Sequence, residues 1–220
     1  MEEMSDAFEG VSEVLFIPYA SSDHDSYLEG ARRFTASAPF NLVGIHEYDD
    51  ALEAVMEASG IYVGGGNSFL LVHDLHEKGL IGAIRQRVSE GIPYVGISAG
   101  SNVACPTMMT TNDMPVIYPP SYEGFGIVPF QINPHYHPGG ILWREGEDLV
   151  QHFGETRARR IAEFHQHNPT PVIGLFEGTF LRWDGESATL VGGSAEIFSV
   201  DDTTLRVEHG AILDGSLSPR

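Results

Sequence analysis

The chain has 220 residues, and its 12 basic and 31 acidic side chains give a formal net charge of −19. So negative a protein repels nucleic acid and anionic membranes, and no stretch approaches the ~20 apolar residues of a membrane span. Cys105 is the only cysteine, which excludes an intrachain disulfide and favours a reducing compartment. The first six residues are acidic and lack the apolar region of a signal peptide. We therefore expect a cytoplasmic protein without nucleic-acid or membrane partners.

The acidic surface has two interpretations. Lys78 is the only lysine, and an ordinary solvated surface would account for the remaining charge. The alternative is adaptation to high salt, where screening relieves the repulsion among carboxylates. The sequence leaves both interpretations open.

The first 97 residues predict alternating strands and helices. Apolar runs predict strands at 14–17, 41–45, 61–63 and 94–97, and polar-faced segments predict helices at 26–36, 50–58, 67–76 and 79–89. The order β-α-β-α-β-α-β is typical of a parallel sheet with helices on both faces.

The last third of the chain has a different pattern. After a predicted helix at 156–165, short runs at 172–175, 179–183, 188–191 and 204–207 alternate with glycine and aspartate turns, which favours antiparallel strands. No low-complexity linker divides the sequence. We predict one α/β domain over 1–220, with a mostly parallel sheet flanked by helices and antiparallel strands in the C-terminal third.

The chemistry is concentrated at Ser98. Gly96-Ile97-Ser98-Ala99-Gly100 follows the apolar run 92–95 and has the pattern G-x-S-x-G. In this nucleophile elbow the serine Oγ is exposed at a tight turn from a strand into a helix, and the next backbone N–H can stabilise an oxyanion. A plain glycine- and serine-containing loop is the alternative.

Five further motifs flank the elbow. They are G-G-G-N-S-F at 64–69, T-T-N-D-M-P at 110–115, I-N-P-H at 132–135, G-E-T-R-A-R-R-I at 154–161 and I-G-L-F-E-G at 173–178. Together with the elbow, this series resembles the peptidase E (aspartyl dipeptidase) family of serine peptidases, whose relatives include cyanophycinase, over residues 12 to 200. The resemblance implies a class I amidotransferase-like α/β fold, a peptide substrate and no cofactor.

A serine hydroxyl needs a base and, usually, a carboxylate that orients that base. By resemblance the base is His135 of the N-P-H motif, with Ser98 as nucleophile. Two acids match those of the family, Glu177 in L-F-E-G and Asp113 in T-T-N-D-M-P. Glu177 follows a predicted strand, so we expect it to complete the triad, while Asp113 organises the site or the substrate's amino group. The assignment between the two acids stays open.

The remaining site residues are also implied by the resemblance. The N–H groups of Gly66 and Ala99 form the oxyanion hole, Asn67 contacts the substrate, and Arg157 holds the substrate's aspartate side chain. A surface pairing of Arg157 with nearby glutamates is the alternative role. The histidines at 135 and 137 and at 165 and 167 lack a clear third ligand, so no metal is expected.

Three features depart from the family pattern. Residues 2–12 do not have the pattern of the strand that usually precedes Val14, so one sheet edge is expected to be missing or rebuilt. The segment 138–153 is longer than usual, which leaves the covering of the cleft in doubt. Ser101 stands where the family often has alanine.

The sequence therefore predicts a serine exopeptidase that hydrolyses dipeptides with an N-terminal aspartate through an acyl-enzyme on Ser98. Within the same family, cleavage of β-aspartyl or cyanophycin-type peptides is the alternative. A non-catalytic alternative is an amidotransferase-like binding module that has no turnover. The sequence leaves open whether the protein forms a homodimer.

Overall fold

The computed structural model describes residues 1–139, 142–151 and 154–219. The chain divides into two compact units, Met1–Pro129 and Phe130–Arg220, and each is described by itself. A single domain over the whole chain remains a prediction. None of the helices among the described residues is long and apolar enough to cross a membrane.

The first unit alternates strands with helices, as the sequence predicts. Its elements in chain order are α1 Glu2–Ala7, β1 Glu13–Ile17, α2 His24–Phe34, β2 Asn41–Gly44, a 3₁₀ turn Ile45–Glu47, α3 Ala51–Glu57, β3 Ile61–Val63, α4 Ser68–Glu77, α5 Leu80–Ser89, β4 Tyr94–Gly96 and α6 Ala99–Val103. The segment before β1 that did not have a strand pattern is the helix α1. Its Met4 packs in a buried cluster with Phe8, which directly follows the helix.

The four strands form one sheet in the order β2-β1-β3-β4, and every pair is parallel. Alternate residues of β1 enter different cores, because Val14 and Phe16 belong to one buried cluster and Leu15 and Ile17 to another. A sheet buried on both faces explains why its strands are continuous apolar runs. The predicted parallel sheet flanked by helices is confirmed.

The helices begin at side chains that satisfy their first N–H groups. Asp23 accepts from the Ser26 N–H at 3.0 Å, and Asp50 accepts from the Leu52 N–H at 2.8 Å. Such caps are typical of aspartate before an amphipathic run. They fix where α2 and α3 begin, and α2 carries a tyrosine that reaches the candidate site.

The second unit is mainly antiparallel. Its elements are β5 Gln131–Asn133, β6 Leu142–Glu145, β7 Asp148–Gln151, α7 Arg157–His165, β8 Val172–Leu175, β9 Thr179–Trp183, β10 Ser187–Gly192, β11 Ser194–Phe198, β12 Thr204–Glu208 and β13 Ile212–Asp214. They form sheets in the orders β12-β11-β8-β5 and β13-β10-β9, with β6 and β7 as a separate hairpin. Of these pairings only β5 with β8 is parallel. The predicted antiparallel strands of the C-terminal third are confirmed.

The long segment 138–153 is described only in part. Its β6 and β7 form an antiparallel hairpin that pairs Trp143 with Val150, whereas residues 140–141 and 152–153 lie outside the described residues.

Candidate active site

Ser98 lies at the carboxyl end of β4, in the tight turn that begins α6. Its backbone has φ 53° and ψ −107°, a conformation that costs a residue with a Cβ about 1–3 kcal/mol. The Ser98 carbonyl accepts from the Asn102 N–H at 2.9 Å and from the Ser101 hydroxyl at 2.7 Å. These bonds anchor the strained turn, and the geometry is that of a nucleophile elbow.

Close packing around the elbow requires glycine. A Cβ on Gly100 would overlap the Val63 carbonyl oxygen, and one on Gly96 would overlap the Gly100 carbonyl group. The same Gly100 carbonyl accepts from the hydroxyl of the half-buried Tyr94 at 2.6 Å. Burial holds the pKa of Tyr94 well above its usual value, so this hydroxyl keeps its proton and acts as a donor. The first turn of α6 is therefore held firmly on β3 and β4.

The glycine loop 64–66 borders Ser98. It joins β3 to α4, and a Cβ on Gly65 would lie 3.1 Å from the Ser98 Cβ and 3.8 Å from its Oγ. Gly66 has φ +126°, and a Cβ there would overlap the Ala20 carbonyl oxygen. Only glycine fits this left-handed, crowded position. The loop thus brings backbone groups next to Ser98, as an oxyanion hole at Gly66 and Ala99 requires.

Asn67 and Asp113 organise the beginning of α4. The Asn67 Oδ1 accepts from the Phe69 N–H at 3.0 Å, and its Nδ2 donates to the Met114 carbonyl at 3.0 Å. The Asp113 Oδ2 accepts from the Ser68 N–H at 2.7 Å and from the Ser68 hydroxyl at 2.6 Å. A carboxylate at the first turn of a helix is favourably placed for the helix dipole. Both side chains therefore tie the T-T-N-D-M-P segment to the end of the glycine loop.

In the second unit, His135 contacts Glu177. The two residues follow β5 and β8, which pair in parallel, so they leave the sheet at the same edge. The His135 Nδ1 forms a short hydrogen bond with the Glu177 Oε1, which favours the tautomer with a proton on Nδ1 and leaves Nε2 as an acceptor. The imidazole is 48 % exposed and the carboxylate 77 % exposed. Within this unit, the histidine therefore contacts one of the two candidate acids, Glu177.

Arg157 begins α7 next to this pair. Its Nη1 donates to the Pro134 carbonyl at 3.0 Å, immediately before His135. Burial lowers the pKa of Arg157, Arg160 lowers it further, and the negative charge of Glu177 opposes both. An arginine nevertheless stays charged at any working pH. Among the described residues Arg157 has no ion pair, whereas Arg160 pairs with Glu155 at 3.4 Å.

The sequence predicts neither of two groups that support these loops. Tyr27 donates to the Gly65 carbonyl, and the Ser68 hydroxyl donates to the Asp113 carboxylate. Tyr27 lies 38 residues from its partner, in a helix whose pattern indicates only amphipathicity, so no local signal marks it. Within the described ranges no group of three or more histidine, cysteine, aspartate or glutamate side chains is arranged to hold a metal ion.

Comparisons with known proteins identify the family of this chain. The model of peptidase family S51 matches residues 1–191. The chain is 45% identical over 206 residues to a Drosophila melanogaster protein named "Probable alpha-aspartyl dipeptidase", covering 92% of this chain and 83% of the relative. It is 47% identical over 180 residues to peptidase E of Streptomyces coelicolor, covering 80% and 70%.

A solved structure has the same fold. The peptidase from an acI-B1 Actinobacterium superposes with a TM-score of 0.65 at 18% identity, covering 97% of this chain and 88% of that one. The predicted resemblance to peptidase E and the predicted class of serine-type peptidase are confirmed, and the chain belongs to peptidase family S51.

Proposed function

We propose that this peptidase is an aspartyl dipeptidase that removes an N-terminal aspartate from dipeptides. The main support is the strained Ser98 elbow beside the glycine loop, which is the arrangement that acyl transfer to a serine requires. The names of the relatives, alpha-aspartyl dipeptidase and peptidase E, support the substrate class.

The proposed reaction proceeds through an acyl-enzyme. The Ser98 Oγ attacks the aspartyl carbonyl carbon and gives its proton to the His135 Nε2. The tetrahedral oxyanion accepts hydrogen bonds from the Gly66 and Ala99 N–H groups. The C–N bond then breaks, and His135 returns the proton to the leaving amine. Water attacks the ester with His135 again as base, which releases aspartate and restores Ser98.

Glu177 is proposed as the third member of the triad. Its contact with the His135 Nδ1 supports the orientation of the ring and stabilises the imidazolium that forms in each step. Asp113 is proposed to organise the site, since its carboxylate already accepts two hydrogen bonds from Ser68. This assignment leaves the two acids with separate tasks.

Arg157 is proposed to recognise the substrate's aspartate side chain, and Asn67 to contact the bound peptide. A guanidinium can bind a carboxylate through two parallel hydrogen bonds. With a net charge of −19, the protein repels an anionic substrate in general, so a positive anchor is needed where the substrate's carboxylate lies. The Arg157 Nη1 donates to the Pro134 carbonyl, and this bond restricts the orientation of the partly buried Arg157 side chain.

Turnover of Asp-Leu by the purified protein tests the proposal. Wild type should release leucine, and Ser98→Ala should abolish release while keeping the melting temperature. Ser89→Ala is the matched control, because Ser89 is an exposed serine at the end of α5 whose hydroxyl bonds only locally to Gln86. If Ser98→Ala kept a tenth of wild-type activity, the proposal would be wrong.

Two alternatives are separated by the same assay. Faster release from β-aspartyl-leucine or from a β-aspartyl-arginine dipeptide than from Asp-Leu would move the protein to cyanophycinase-like activity. Absence of turnover on every peptide would indicate a binding module that kept the fold.

We further propose that the protein acts in the cytoplasm, without nucleic-acid partners. The only cysteine, Cys105, is buried, which supports a reducing compartment, and the net charge of −19 disfavours polyanions. A homodimer remains a prediction, which light scattering of the purified protein would check.

A further inference from the structure

The candidate oxyanion hole depends on the orientation of two peptide groups. Gly66 contributes the N–H of the peptide whose carbonyl belongs to Gly65, and Ala99 contributes the N–H of the peptide whose carbonyl belongs to Ser98. In a trans peptide the carbonyl and the N–H point in opposite directions, and no cis peptide bond occurs among the described residues. A donor that holds the carbonyl therefore also fixes the direction of the N–H.

The Ser98 carbonyl has two donors that are part of its own helix. They are the Asn102 N–H at 2.9 Å and the Ser101 hydroxyl at 2.7 Å. The backbone bond alone is enough to hold this peptide in the first turn of α6. The Ser101 hydroxyl is a second, supplementary donor.

The Gly65 carbonyl depends on one distant side chain. The Tyr27 hydroxyl donates to it at 2.7 Å from α2, and no other donor to this carbonyl is found in the described part of the chain. The following N–H, that of Asn67, is anchored separately on the Ala20 carbonyl at 2.9 Å. The peptide between Gly65 and Gly66 is thus flanked by glycines on both sides, where the backbone rotates most easily.

The packing around Tyr27 positions its hydroxyl for this bond. Its ring packs edge-to-face on Phe16 at a centroid distance of 5.2 Å, next to a buried cluster of the sheet. A Cβ on Gly64 would overlap the Tyr27 hydroxyl, so glycine at this position permits the approach. Burial raises the pKa of Tyr27, and the hydroxyl keeps the proton that it donates.

We propose that Tyr27 is a positioning residue that holds the Gly65–Gly66 peptide with its N–H aimed at the oxyanion. This inference rests on the proposed function, because it assigns a task within the same site. Without the hydroxyl, the peptide group between the two glycines can rotate, and the Gly66 N–H no longer points at the oxyanion. The hydrogen bond also polarises the peptide, which strengthens the donated N–H. The effect should appear in the transition state, where the oxyanion forms, rather than in substrate binding.

The test is Tyr27→Phe, which removes one oxygen and keeps the ring. Removing an oxyanion-hole donor outright costs about 10²–10³-fold in kcat, and a misaligned donor should cost less, so we expect kcat for Asp-Leu to fall about 10–100-fold. KM should stay within about twofold. Inhibition by the boronic-acid analogue of aspartate, which forms a tetrahedral adduct on serine, should weaken in proportion to kcat.

Tyr62→Phe is the matched control. Tyr62 is a buried tyrosine of the same cluster, and its ring also contacts Phe16, at 5.0 Å. Among the described residues its hydroxyl has no hydrogen-bond partner, so this variant should keep wild-type kcat. Ser101→Ala should lower kcat less than Tyr27→Phe, because the Asn102 N–H still holds the Ser98 carbonyl.

The outcomes separate the inference from the proposed function. If wild type hydrolyses Asp-Leu but Tyr27→Phe has the kcat of Tyr62→Phe, the positioning role is wrong and the proposed function stands. Equal losses in kcat and melting temperature for both tyrosine variants would also overturn the role, because they would show a general packing effect. If wild type hydrolyses no peptide, the proposed function itself has failed.

Discussion

Replacing Glu177 by glutamine should separate the two candidate acids. The substitution keeps the shape of the side chain and removes the charge that faces the His135 Nδ1. The amide can also present a donor to Nδ1, which would favour the wrong tautomer. Asp113→Asn is the matched change at the other acid, where the carboxylate contacts Ser68 instead.

The size of the effect follows from the exposure of the pair. Two unit charges 4 Å apart attract by about 1 kcal/mol in water and about 4 kcal/mol at an effective dielectric constant near 20. With the imidazole 48 % and the carboxylate 77 % exposed, the pair lies between these limits. A loss of about 2.7 kcal/mol in transition-state stabilisation corresponds to about 10²-fold in kcat. This is smaller than the effect in triads whose acid is buried.

The assay is kcat for Asp-Leu at saturating substrate, with the melting temperature of each variant measured in parallel. Glu177→Gln should lower kcat about 10²-fold at unchanged stability. Asp113→Asn should lower kcat less than tenfold and should lower the melting temperature, because it weakens two bonds at the beginning of α4. The reverse ranking in kcat would assign the third position of the triad to Asp113 and refute the reasoning from the contact.

Three other predictions concern recognition, salt and pH. Arg157→Met should raise KM for Asp-Leu about tenfold, because one charge-assisted pair is lost, and should leave KM for Ala-Leu and Asn-Leu little changed. Substitution of the exposed Arg159 by methionine is the control. Equal rises in KM for all three peptides would indicate that Arg157 supports the fold instead. The melting temperature should rise between low and molar KCl, because screening relieves the repulsion of −19 net charges, and a flat thermal-shift series would reduce the acidic surface to an ordinary solubility feature. Hydrogen bonds from Ser187 and Glu186 lower the pKa of Asp184 to about 2, which is below the pKa of the unfolded chain. The stabilising contribution of Asp184 is therefore present above pH ~4 and is lost as the pH falls toward 2. The urea midpoint of wild type should fall more over this range than that of Asp184→Asn, and parallel curves would contradict the assignment.

Much of the first unit could be predicted because its signals are local. The apolar runs of β1 and β3 are buried on both faces, and the cap at Asp50 marks the beginning of α3. The strand β5, Gln131–Asn133, was missed because two of its three residues are polar, although all three are buried. The strand β11, Ser194–Phe198, was also missed, since it follows the two glycines 192–193 directly.

The candidate site could be predicted only where its residues carry motifs. Ser98 and His135 lie in recognisable strings, but the choice between Glu177 and Asp113 depends on which strands pair. The parallel pairing of β5 with β8 is a long-range contact that no local pattern encodes. The same limit applies to Tyr27, whose partner lies in a loop 38 residues away. Sequence patterns indicate which groups are available, and the tertiary pairings determine which of them meet.

Backbone strain independently supports the proposed catalytic roles of Ser98 and His135. Among the described residues other than glycine, Ser98, His135, Asp202 and Leu217 have positive φ. Asp202 and Leu217 lie in turns closed by local hydrogen bonds, from Asp202 N to Ser199 O and from Leu217 N to Asp214 O, and aspartate tolerates such a conformation in turns.

Ser98 and His135 instead follow the ends of strands. Bonds within α6 hold the Ser98 carbonyl, and bonds with other elements hold the groups that flank His135. The Ser101 hydroxyl holds the Ser98 carbonyl, Arg157 holds the Pro134 carbonyl, and the Tyr136 N–H donates to the Leu175 carbonyl at 2.8 Å. A strained residue persists only where its surroundings over-determine it. In this chain that support surrounds the proposed nucleophile and the proposed base. Substitutions at Ser101 or Arg157 should therefore lower kcat modestly through backbone geometry, whereas the rise in KM of Arg157→Met stays specific to Asp-Leu.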